Sequence, residues 1–159
     1  MTIVVDDIRT FIAEAIEKES IYLAWGRGDS EWQTPPSEER TQMALQDPIG
    51  FRQVSRTQYV VPDELGEIVL SSGSFSISAE PTNHLYVEFR YDFEDAQGEV
   101  IRETMVYIGT EIVEGLPPGQ KYFAPEQIEK VGRAALLSNF GPRERTVGTR
   151  STYEYVISL

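Results

Sequence analysis

Between His84 and Phe93 the apolar side chains Leu85, Val87, Phe89, Tyr91 and Phe93 fall on every second residue, with Tyr86, Glu88, Arg90 and Asp92 in the gaps. A period of two puts alternate side chains on opposite faces of an extended chain, so the segment predicts a half-buried β-strand. Asp95-Ala96-Gln97-Gly98 then supplies turn chemistry. Val100 to Ile108 alternates again, with Arg102, Thr104, Val106 and Ile108 set against Ile101, Glu103, Met105 and Tyr107. Two such runs about one turn predict a β-hairpin within residues 83–110 at the centre of the fold.

The rest of the chain arranges itself around that feature. A length of 159 residues fits one domain, 1–159, with a sizeable core. Asp6 or Asp7 can cap a helix over about 7–19 whose Ile8, Phe11, Ile12, Ala15 and Ile16 form one apolar stripe, which should lie on a core or on a partner, core packing being the preferred expectation over a dedicated docking helix. Glu38 to Leu45 could form two further helical turns. A β-rich core follows over about 49–110. Pro125 suits a first helical position, and Ile128, Val131, Ala135 and Leu136 continue at helical spacing before Gly141-Pro142, which predicts a second helix over about 125–138. Tyr153, Tyr155, Ile157 and Leu159 alternate in a C-terminal strand over about 152–159, which must pair in its own sheet or in a neighbour's, its own being the preferred expectation. The fold class is therefore α+β, a central antiparallel β-sheet or β-sandwich with two flanking helices.

Residue chemistry argues against catalysis. There is no cysteine, and the one histidine, His84, has no nucleophile or acid at suggestive spacing, so neither a thiolate nor a zinc site is expected. Asp92, Glu94, Asp95 and Glu99 crowd a turn but lack the spacing of a calcium loop. No nucleophile elbow, phosphate-cradling loop or dinucleotide fingerprint occurs. No cofactor and no metal are expected.

Charge narrows the partners. A net charge of −12 opposes phosphate backbones and anionic lipid, and no apolar run approaches the ~20 residues of a membrane span. The chain is expected to be made in a cytoplasm. Residues 1–50 and 51–110 each carry 4 basic and 10 acidic residues, whereas 111–159 carry 6 of each. A relatively basic C-terminal face could thus meet an acidic face on a neighbour. The aromatic loop Trp25-Gly26-Arg27 to Trp32 and the segment from Arg143 through Arg145 and Arg150 to Tyr153 and Tyr155 are the candidate interface residues.

One order of features is familiar. Tyr22-Leu23-Ala24-Trp25-Gly26-Arg27 precedes Trp32 and Pro35-Pro36, then Ile49-Gly50-Phe51-Arg52-Gln53-Val54 and Tyr59-Val60-Val61-Pro62. This order resembles structural proteins of contractile-tailed bacteriophages, especially the baseplate wedge type. Arg102-Glu103 to Tyr107-Ile108-Gly109-Thr110 is similar to the returning strand of such proteins. The resemblance implies a non-enzymatic virion component of baseplate, tail or neck, made in the host cytoplasm, binding other virion tail or neck proteins and itself. It implies no catalytic residues. A rival expectation is a small-ligand-binding β-barrel or sandwich, even an enzyme, with a pocket lined by Tyr86, Phe89, Tyr91 and Tyr107.

Overall fold

The computed structural model describes residues 1–159. In chain order its elements are a helix α1 (Asp6–Glu17) and twelve strands. These are β1 (Ile21–Gly26), β2 (Pro48–Gln53), β3 (Arg56–Pro62), β4 (Ile68–Leu70), β5 (Gly73–Ile77), β6 (His84–Tyr91), β7 (Val100–Ile108), β8 (Glu111–Ile112), β9 (Tyr122–Phe123), β10 (Ile128–Lys130), β11 (Arg133–Glu144) and β12 (Ser151–Ser158). The chain divides into two compact units interleaved in sequence: Met1–Glu19, Val54–Phe89 and Thr152–Leu159 form the first, Ser20–Gln53 and Arg90–Ser151 the second.

The first unit carries α1 and a sheet of order β12-β6-β3-β5-β4. β3 pairs antiparallel with β6, from Arg56 opposite Glu88 to Tyr59 opposite Leu85, and with β5, where Val60 faces Ile77. Val60, Phe75 and Tyr86 are its buried cluster, with Ile68 and Val156 packed against them. The C-terminal strand pairs inside its own sheet, as its alternation predicts. The Leu159 amide also donates to the Asn83 carbonyl at 3.0 Å.

In the second unit the sheet order is β11-β7-β1-β2-β9, beside a two-stranded ribbon of β8 and β10. β1 lies at the centre, antiparallel to both neighbours, so Ala24 faces Met105 on one side and Phe51 on the other. Every residue of this strand is buried. Its run Ile-Tyr-Leu-Ala-Trp fits that place, because an interior strand covered on both faces needs no polar alternation. Tyr22, Ala24, Leu45, Phe51, Met105, Tyr107 and Phe123 form the buried cluster of one face.

Four expectations need correction. The strands within 83–110 exist, but they do not form a hairpin: β6 lies between β12 and β3, while β7 lies between β11 and β1. Both hydrogen-bonding edges of each strand are taken, and residues 92–99 are tied instead to Arg145. The Gly98 amide donates to the Arg145 carbonyl and the Arg145 amide to the Glu99 carbonyl, at 3.1 and 2.9 Å. Nor is β6 half-buried, since Leu85 through Phe89 are all covered.

The second flanking helix over 125–138 is absent, leaving α1 as the single α-helix. Pro125 does open a helical turn, but a single 3-10 one, Pro125–Gln127, in which the Gln127 side chain accepts from the Ala124 amide at 2.9 Å. Gly132 then takes φ +89°, outside any right-handed helix, where a Cβ would meet the Ile108 carbonyl oxygen. Beyond it the apolar residues pair with β7: Ala134 faces Tyr107, Leu136 faces Val106 and Leu137 faces Met105, with a bulge that skips Ala135. That extra residue puts Ala134 and Leu137 on the same face three positions apart, so a bulged strand carries a spacing that reads as helical. The two turns expected over Glu38 to Leu45 are likewise missing. There the Glu38 carboxylate accepts from the Asn139 amide at 2.9 Å, and the Asn139 side-chain amide donates to the Pro36 carbonyl at 3.1 Å, which lays this segment along β11.

Candidate interaction surfaces

Trp25 belongs to the core. Its indole is fully buried and stacks on Tyr91 with ring centroids 3.4 Å apart and planes 11° from parallel. Tyr91 in turn donates its hydroxyl to the Leu23 carbonyl at 2.6 Å, fixing the stack to the central strand. Arg145 also lies over the indole, its guanidinium carbon 4.9 Å from the ring centroid. It too is buried, and donates to the carbonyls of Asp92 and Asp95 at 2.7 and 3.2 Å and to the Ser151 hydroxyl at 2.8 Å. The structure thus brings Trp25 and Arg145 together as an interior clamp on residues 92–95, and neither presents a side chain to a partner.

Arg27 stands at the edge of the same unit. It forks onto Glu99 with bonds of 2.7 and 2.6 Å and reaches Asp47 at 3.1 Å. The bonded Arg27 guanidinium, more than the local burial that opposes it, pulls the Glu99 carboxyl below its ordinary value of 4.5. A carboxylate depressed by folding stabilises the native state above its unfolded value, and that contribution is lost as pH falls through the folded value. Urea midpoints of the wild-type chain are therefore expected to drop on acidification below about pH 4.5. Glu99→Gln is expected to start lower at neutral pH and to drop less; an unchanged pH profile in that variant would contradict the assignment.

The remaining candidates lie at the surface. Trp32 is half-buried, its ring over Gly28. Arg143 is exposed over the Phe140 ring at 4.2 Å. Arg150 is exposed, 4.5 Å over Phe93 and 3.6 Å from the Asp92 carboxylate. In the first unit Tyr153 and Tyr155 are half-buried on β12, Tyr155 meeting Phe89 edge-on at 6.4 Å. Cations over rings and amphipathic aromatics at the surface are the composition that protein contacts favour.

Two features stand outside the candidate residues and carry more weight than their types announce. Glu103, on β7, is completely buried and accepts three backbone N–H bonds, from Gly28 at 3.2 Å, Gln46 at 3.1 Å and Asp47 at 3.0 Å. It ties two loops to the sheet, and Gly26 must be glycine because a Cβ there would meet its carboxylate. The signal was present in the alternation, where Glu103 shares a face with Ile101, Met105 and Tyr107.

The second feature is α1, whose stripe points the wrong way for core packing. Ile8, Phe11 and Ile12 are 45%, 64% and 42% exposed, and Ala15 is exposed with them. Arg9, Thr10, Ala13, Ile16 and Glu17 take the inner face, where Ala13 alone is fully covered and Arg9 donates to the Leu159 carbonyl at 3.2 Å. Ile3, Val4 and Val5, which precede the helix in sequence, are exposed as well.

Hollows in the two units are open and shallow in character. One of about 250 Å³ lies between Glu38 to Gln42 and β11, over Met105 and Leu137. Another, in the first unit, has His84 on its wall, with Nδ1 2.9 Å from the Ser158 hydroxyl. Tyr86, Phe89, Tyr91 and Tyr107, expected by the rival reading to line a pocket, are buried in packing instead. No three His, Asp or Glu side chains converge as a metal-ligand set, and no helix is long and apolar enough to cross a membrane.

Comparison with curated proteins gives no match. Comparison with protein families gives one that spans residues 1–159, described as baseplate wedge 3 tail fiber network component. The match covers every element described above. The chain belongs to that family and is a structural protein of a phage tail baseplate.

Proposed function

We propose that this chain works without catalysis, as a virion subunit held in the baseplate by protein–protein contacts with other tail proteins after synthesis in the host cytoplasm. The observation that carries the reading is where the buried charged groups end. Glu103 terminates on three backbone amides, and Arg145 on two backbone carbonyls and a serine hydroxyl. A catalytic acid, base or electrophile needs a face turned to substrate, whereas these groups bind loops to sheets. Trp32, Arg143, Arg150, Tyr153 and Tyr155 supply the contact chemistry from their two units.

Interrupting the gene tests this. Phage grown without the chain are expected to produce tails with incomplete baseplates by electron microscopy, restored when the chain is supplied in trans. Fully assembled, infectious particles lacking the chain would overturn the proposal.

A further inference from the structure

Granting the baseplate role just proposed, we infer that α1 with residues 1–5 is a docking element that seats in an apolar groove rimmed by lysine or arginine on a different baseplate polypeptide. A helix of 12 residues is marginal in water by itself and ordinarily owes its order to a buried apolar face. Here the covered face is mixed, with Ala13 and half-buried Ile16 beside Arg9, Thr10 and Glu17, while most of the apolar stripe lies outside it. Ile8, Phe11, Ile12 and Ala15 are exposed, and Ile3, Val4 and Val5, just before the helix, are exposed too. Seven such residues present several hundred Å² of apolar area, the order of the ~800 Å² per partner found in a standard interface. The spacing of Ile8, Phe11, Ile12 and Ala15 is that of anchors from a helix laid in a groove.

Charge selects the occupant. Residues 1–20 hold five acidic side chains against Arg9 and Lys18, and Asp6, Asp7 and Glu19 stand exposed around the stripe. A second copy would bring the same acidic border and a further −12, so pairing two such faces juxtaposes like charges. An anionic bilayer is opposed on the same ground, since helices that lie on membranes carry a basic polar face. A groove with a cationic rim on another chain satisfies both the apolar stripe and its border.

The test uses the full chain and, as probes, the other baseplate polypeptides of the same particle, purified singly and titrated calorimetrically at low and high salt. One of them is expected to bind, more weakly at high salt. Ile8→Ser with Phe11→Ser should reduce that affinity by at least about 30-fold, the loss typical of central interface anchors. Both side chains are exposed, so the circular dichroism and melting temperature of this variant should stay close to wild type. Asp7→Asn with Glu19→Gln, which leaves the stripe intact, should weaken binding at low salt and match wild type at high salt. Val69→Ser, an exposed apolar site elsewhere in the first unit, should bind as wild type.

Undiminished binding by the Ile8/Phe11 variant overturns the docking element and leaves the baseplate role standing. Sedimentation showing that the chain alone dimerises through α1 assigns the face to a second copy and overturns the heterologous groove. Failure of wild type to bind any baseplate polypeptide, together with normal particles after gene interruption, overturns both.

Discussion

Trp25→Ala is expected to destabilise the chain by about 3–5 kcal/mol, the range for removing a large buried aromatic side chain. The indole is fully buried, and its deletion removes both the stack on Tyr91 and the surface that Arg145 covers. The cavity would lie beside β1, the central strand, whose neighbours on both sides leave little room to collapse. Urea unfolding followed by fluorescence and circular dichroism checks this. Trp32→Ala, at a half-buried loop position, should cost far less, so the two tryptophans separate cleanly into core and surface. A Trp25→Ala chain as stable as wild type, but impaired in assembly, would restore this residue to the interface.

The second large effect belongs to Glu103. Removing its carboxylate leaves the amides of Gly28, Gln46 and Asp47 without their acceptor. Each buried donor left unpaired costs about 1–3 kcal/mol, so Glu103→Ala is expected to lose on the order of 3 kcal/mol or more. For a chain of this size that is a fall of roughly 10 °C in melting temperature. Glu103→Gln keeps the volume and one acceptor oxygen, and should fall between Ala and wild type. Limited proteolysis gives an independent measure. In Glu103→Ala the loops at 26–30 and 46–47 should be cleaved well before the strands, and cleavage unchanged from wild type would show that the tie holds nothing in place.

These two residues also show what the sequence could and could not convey. The strands over 84–91, 100–108 and 152–159 were legible because alternation is a local property of an extended chain. Which strands pair is not local. Two alternating runs about a turn describe a hairpin equally well as two strands that part into different sheets, and only the partners β12, β3, β11 and β1 decide it. The second helix failed for a related reason: Ile128, Val131, Ala135 and Leu136 stand at helical spacing in the sequence, but they are divided among β10, the residues that join it to β11, and β11 itself with its bulge at Ala135.

The candidate site was legible in composition but not in placement. Aromatic and arginine residues were singled out as a group, yet Trp25 and Arg145 turn inward, and for Trp25 sequence carries no direction for a side chain in an all-apolar strand. Conversely, the periodicity of α1 predicted an apolar stripe, but a stripe is the same pattern whether it faces a core or a neighbour. The expectation that it packs on the core is the default, and its failure is what draws attention to the surface. Glu103 was visible as a carboxylate on an apolar face, a local conflict of the kind that marks a specific structural role.

The most direct test of the account is electron cryomicroscopy of the assembled baseplate at a resolution that shows side chains. Ile8, Phe11 and Ile12 are expected to be covered by an apolar groove of a different polypeptide, with basic side chains facing Asp7 and Glu19, while Trp25 and Glu103 remain interior. A baseplate in which α1 is bare to solvent, or covered by another copy of this chain, would contradict it.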